Sequence, residues 1–154
     1  MSAQNQPLVE RETALETLNS LMRGELAAVD TYRHAIDQLG DAAPDDLTTA
    51  LRSHDQRATR LAEHITLVGG TPVSGSGLWG AFARVVEAGA SLIGPRATFA
   101  ALEEGEDRGL TDYRAAIDRV DATGLALIRT YLLPEQIRTH GLMSALCRRA
   151  AADA

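Results

Sequence analysis

Four ionisable residues of this chain stand in positions where a helix would carry apolar ones. Read in steps of three and four, one stripe runs Leu18, Leu21, Glu25, Ala28, Tyr32, Ile36, and a second runs Leu47, Leu51, His54, Ala58, Leu61, Ile65, Val68. A third runs Phe99, Leu102, Glu106, Leu110, Tyr113, Ile117, and a fourth Ile128, Leu132, Gln136, His140, Met143, Cys147. Such steps keep residues on one helix face. The four stripes therefore turn Glu25, His54, Glu106 and His140 inward. A buried charge without a partner is costly, so these groups must meet partners. Two chemistries are open. Two carboxylates and two neutral imidazoles balance one divalent ion, and both ligand types suit Fe, Mn or Zn. The same groups can instead pair as Glu–His hydrogen bonds that fix the register of the helices without metal. Tyr32 and Tyr113 lie two turns from the glutamates, and their hydroxyls need a buried acceptor. Glu103, three residues before Glu106, and Gln136 are the remaining candidates to support the set.

The elements that must position these residues are four long helices. Alanine and leucine dominate the composition, which favours helix over strand. The patterns predict helices over 7–39, 45–68, 95–120 and 122–151, in one domain covering 1–154. Gly40 and Pro44 stop the first, and Gly69-Gly70-Thr71-Pro72 stops the second. Pro95 suits the first turn of the third. Pro134 falls inside the fourth and predicts a kink or break there. Short loops join helices one to two and three to four, so each pair is expected to be an antiparallel hairpin. Residues 71–94 form the long connection, with a short crossover helix bearing Trp79 and Phe82.

The two halves resemble each other. Gly24-Glu25 with Tyr32-Arg33-His34-Ala35-Ile36-Asp37 is echoed by Gly105-Glu106 with Tyr113-Arg114-Ala115-Ala116-Ile117-Asp118. Leu51-Arg52-Ser53-His54 is echoed by Ile137-Arg138-Thr139-His140. A repeated hairpin predicts a pseudo-twofold axis with Glu25 and Glu106 facing across it.

Composition removes several functions. The 154 residues carry a formal charge of −6, and all 15 basic residues are arginine. That balance argues against binding to nucleic acid or an anionic membrane. No apolar run is long enough for a membrane helix. The polar start shows no apolar secretion segment, so a cytoplasmic protein is expected. The single cysteine, Cys147, reads as packing, not as a reactive thiol. No nucleophile–base pair and no small-molecule substrate can be named.

Glu25 with Tyr32, the Gly69 to Pro72 stop, the turn at Ser76 to Gly80, the Glu104-Gly105-Glu106-Asp107 run with Tyr113, and Gln136 with His140 resemble the ferritin-like superfamily. More closely, they are similar to a bacterial four-helix-bundle family known as domain of unknown function 2383, from about Leu15 to Leu146. The resemblance implies an all-α ferritin-like bundle of two hairpins, with homo-oligomerisation expected. It also implies a metal site. The wider superfamily binds two irons with two lone glutamates and two Glu-x-x-His pairs. Here Leu51 and Ile137 replace the paired glutamates, so the implied ligand set shrinks to Glu25, His54, Glu106 and His140. The resulting expectation is a metal-handling or oxidative-stress protein. The rival expectation is a non-catalytic helical scaffold or interaction module.

Overall fold

The computed structural model describes residues 6–77 and 94–152. The described residues are all-α, with no strand among them. Helix α1 spans Gln6–Leu39 and is followed by a single 3-10 turn at Gly40–Ala42. Helix α2 spans Asp45–Leu67, entered from an extended Pro44, with Asp45 and Asp46 in the first turn. Carboxylates there oppose the positive end of the helix dipole. At its far end Gly70 N–H donates to Ile65 C=O, and Gly69 N–H to Thr66 C=O. This doubled bond pattern needs a left-handed residue, and Gly69 has φ +79°. The expected crossover helix, with Trp79 and Phe82, lies outside the described residues.

Helix α3 spans Pro95–Ala116, with Pro95 in its first turn as expected. It ends four residues before the expected Val120. Asp121 caps the next helix by accepting from Gly124 N–H, so the chain must turn before it. Helix α4, Ala122–Leu127, passes into a π-helical segment at Ile128–Leu132, which runs into helix α5, Leu133–Ala152. Here lies the outcome of Pro134. An α-helix cannot supply a bond from the missing N–H, and the ring would strike the carbonyl one turn back. The chain instead widens just before the proline, with Leu133 N–H bonded to Ile128 C=O five residues back.

The helices pack most extensively as α1 on α2 and α3 on α5, while α1–α3 and α2–α5 contacts join the pairs. Among the described residues the core has two apolar clusters. Leu18, Leu21, Leu61, Ile65, Ile128 and Leu132 belong to one. Ala35, Leu47, Phe99, Leu102, Met143 and Leu146 belong to the other. Six buried polar residues, Glu25, His54, Arg57, Glu106, Gln136 and Thr139, gather between these clusters, while Thr31, Ser53 and Thr98 are buried apart from them. Tyr113 closes the first and Tyr32 the second, and their hydroxyls reach into a polar layer between them.

Candidate functional site

The polar layer is built by all four long elements. Helix α1 supplies Glu25 and Tyr32, α2 supplies His54 and Arg57, α3 supplies Glu106 and Tyr113, and α5 supplies Gln136 and Thr139. Each of these residues is buried.

His54 lies at the centre. Its Nδ1 is 2.7 Å from Glu25 Oε2, and its Nε2 is 2.9 Å from Glu106 Oε1. Both ring nitrogens thus face carboxylates, an arrangement that only the doubly protonated imidazolium satisfies as a donor to each. Tyr32 tilts against the ring at 5.1 Å between centroids. The tyrosines cross over. Tyr32 OH donates to Glu106 Oε1 at 2.6 Å, and Tyr113 OH donates to Glu25 Oε1. Because both Glu–Tyr spacings are seven, each pair stays on one face two turns apart, and opposed helices match glutamate to tyrosine at both ends.

Arg57 is completely buried beside them. Its Nη1 donates to Gln136 Oε1 at 2.5 Å, and Nη2 reaches Thr139 Oγ1 at 3.4 Å. Nε lies 3.3 Å from Glu25 Oε2, close enough for an ion pair but without a well-aligned hydrogen bond. Nη2 also approaches His54 Nδ1 at 2.7 Å. One ring nitrogen cannot both donate to Glu25 and accept from Arg57. With the imidazolium protonated, Nδ1–H goes to Glu25 and Arg57 is held by the carboxylate charge and by Gln136. Glu106 completes the layer: its Oε2 accepts from Gln136 Nε2 at 2.7 Å and from Thr139 Oγ1 at 2.8 Å. Gln136 Nε2 also donates to the Glu106 carbonyl at 3.0 Å. Gly109 makes this possible, since a Cβ there would stand 2.5 Å from that nitrogen.

The charges close. Two carboxylates carry −2, and an imidazolium with a guanidinium carries +2. Burial pushes both glutamates up, but Arg57 and His54 outweigh it at Glu25, and His54, Tyr32 and Arg57 outweigh it at Glu106, so both are held below the usual carboxylate range. For His54, burial and the Arg57 charge oppose protonation. Glu106 and Glu25 prevail, and the imidazole is raised above its ordinary value.

Of the expected site residues, the structure brings together Glu25, His54, Glu106, Tyr32, Tyr113 and Gln136. It corrects two. His140 is not in the layer: it is half-buried outside it, its Nε2 2.7 Å from the exposed Asp107 Oδ1. Glu103 is likewise outside, accepting from Ser144 Oγ at 2.6 Å. The reason for His140 is register. Two successive steps of four, from Ile128 to Leu132 to Gln136, drift roughly 80° on an α-helix but stay aligned through the wider π segment. Past Gln136 the α-helix resumes with a step of three, so Thr139 turns inward, then Met143 and Leu146. Cys147 accordingly moves off the buried face, and burial with the neighbouring Glu103 pushes its thiol up to about 11. Arg57 was missed altogether. The signal was present: it lies three residues past His54 and four before Leu61, on the same stripe.

The six residues that α1, α2 and α3 give to the layer all fall between residues 13 and 119, the stretch matched by the family model for the domain of unknown function (DUF2383). The chain belongs to that DUF2383 family. The match ends short of α5, so Gln136 and Thr139 of this DUF2383 chain lie beyond it. No curated protein and no solved structure matches the chain.

A metal is what the ferritin-like resemblance implies, and the donors in place do not fit one. Both His54 nitrogens are committed to carboxylates, His140 is absent, and a guanidinium already supplies positive charge beside Glu25. Among the described residues, no group of three or more His, Cys, Asp and Glu side chains is arranged to hold an ion.

Two tests follow from this geometry. Glu25 and Glu106 have lowered folded values, so their contribution is present above about 4.5 and lost as pH falls below it. His54 is raised above 6.5, so its contribution is present below 6.5 and lost as pH rises through the folded value. Urea midpoints should be highest between these limits and decline toward pH 9, and His54→Gln should flatten the alkaline decline. A midpoint that climbs from pH 6.5 to 9 would mean a neutral His54. The register is tested by a pair of variants. Thr139→Val, which strips a donor from a buried carboxylate, should cost about 1–3 kcal/mol. His140→Ala should stay within about 0.5 kcal/mol of the parent. The opposite order in urea denaturation would restore His140 to the core.

Proposed function

We propose that this chain is a ferritin-like four-helix bundle of two antiparallel hairpins that works as a helical scaffold, its buried Glu–His–Arg layer being structural. Three features support the bundle: the dominance of α1–α2 and α3–α5 packing, the short turns within each pair, and the long connection between them. The crossed Tyr32–Glu106 and Tyr113–Glu25 bonds fit descent from a duplicated hairpin.

The observation that carries the reading is charge closure. Glu25 and Glu106 are compensated by His54 and Arg57 from within the chain, with every carboxylate oxygen met by a protein group. Buried ion pairs of this kind are a weak source of net stability, but removing one member is severe, about 3–5 kcal/mol. Their use is to specify which helix faces meet. A slipped or rotated helix would leave a charge buried and unpaired.

The test is metal dependence of the untagged protein, purified without chelators. The scaffold reading expects substoichiometric Fe, Mn and Zn by elemental mass spectrometry. It also expects the same Tm with EDTA, with Zn²⁺ or Mn²⁺, and with Fe²⁺ under anaerobic conditions. One ion per chain together with a Tm that collapses in EDTA would replace this reading with a metal-handling one.

A further inference from the structure

The seam between α1 and α3 is not closed. Two clefts lie along it. The outer one, of about 290 Å³, is flanked by Glu16 and Ser20 of α1 and by Asp112 and Arg119, over a floor of Leu21 and Ala116. The inner one, of about 50 Å³, is a slot walled by Gly24, Ala28, Gly105 and Gly109. Leu21 and Asp112 line both, so the slot opens off the outer cleft. It exceeds the roughly 10–15 Å³ that one water needs. Gly24 keeps it clear, since a Cβ there would meet no atom within 4 Å. Asp112 stands where the two clefts join. It is half-buried, and burial pushes its carboxyl above the ordinary value, with the Arg108 charge offsetting only part of that. A carboxylate drawn partly out of water with its counter-charge incomplete favours an arriving cation. Glu16 brings a second carboxylate to the outer cleft, against Arg119 as the one cation among its described walls. The formal charge of −6 on the chain draws cations as well. The slot differs. The layer beside it is already neutral, so a further charge there would stand unanswered, and its glycine and alanine walls suit an apolar group.

We propose that this seam binds a short, unbranched primary alkylamine, its ammonium on Asp112 in the outer cleft and its alkyl tail in the slot beside Gly24 and Gly105. An ammonium has three donors and no acceptor, so one N–H meets the Asp112 carboxylate and the others turn to water or to the oxygens of Glu16 and Ser20 in the same cleft. The tail leaves water for the Leu21 and Ala28 side chains and the bare helix backbones. A branched tail does not fit between those backbones, and a neutral head group leaves Asp112 without its counter-charge. The ligand is an addition to the scaffold reading and does not depend on it.

The experiment titrates n-butylamine at neutral pH into the nitrogen-15-labelled full chain and follows the amide shifts by NMR, beside tert-butylamine and 1-butanol. The expected result is saturable shifts centred on Gly24, Gly105, Gly109 and Asp112 with n-butylamine, and binding weaker by about tenfold or more for the branched amine and the alcohol. Asp112→Asn, which removes the counter-charge, should weaken n-butylamine by about tenfold or more. Gly24→Val, whose side chain starts in open space, should fill the slot and weaken it similarly, with the fold checked by circular dichroism. Should Asp112→Asn fail to fold, Gly24→Val and the three probes on the parent decide. Absence of a saturable shift overturns the proposal, and so does equal binding of tert-butylamine. Shifts spread over the exposed carboxylates and unchanged in a folded variant would be counter-ion binding to an acidic surface, and overturn it too. Each of these leaves the scaffold reading standing.

Discussion

Two carboxylates buried in a helical interior demand two positive charges, and most of the structure follows from where those charges come from. Water would supply the compensation at a surface, and an ion would supply it in many helical bundles. In this chain the protein supplies it from one helix. His54 and Arg57, three residues apart on α2, face the same side and reach Glu25 on α1 and Glu106 on α3. Helix α2 is thereby tied to both partners by charge as well as by its apolar stripe.

The consequences spread outward by geometry. The polar layer divides the core into two apolar clusters, and the crossed tyrosines seal it on each side. Small residues at Gly24, Gly105 and Gly109 leave space at the α1–α3 crossing, and at Gly109 that space is filled by the Gln136 amide. The π segment before Pro134 sets the rotation of α5 that points Gln136 and Thr139 at Glu106. A proline that looked like an interruption thus tunes the register of the last helix. Apolar packing alone tolerates sliding. A layer in which Glu106 accepts from His54, Tyr32, Gln136 and Thr139 does not.

Much of this was legible in the residues themselves. The helix ends followed from Gly40, Pro44, Gly69 and Pro95, whose backbone chemistry acts locally. The inward turn of Glu25, Glu106, His54 and both tyrosines followed from periodicity, because α1, α2 and α3 are regular helices over those positions. What periodicity could not give was the phase of α5 past the π segment. A step of four to His140 and a step of three to Thr139 are equally helical, and only the widened turn decides between them. Arg57 was hidden for another reason. Arginine is ordinarily a surface residue, so its place on the α2 stripe gives by itself no reason to turn it inward. The counter-charge problem posed by two inward glutamates and one histidine was the clue that a further cation had to be buried.

The central claim is that His54 is an imidazolium locked between two carboxylates. Nitrogen-15 NMR of histidine-labelled protein reads this directly, because the two ring nitrogens of a doubly protonated imidazole resonate together, well apart from the split pair of a neutral ring. The account predicts one histidine that keeps the imidazolium signature above pH 6.5 and vanishes from the spectrum of His54→Gln. A His54 that is neutral at pH 7, with one bare nitrogen accepting from Arg57, would contradict it.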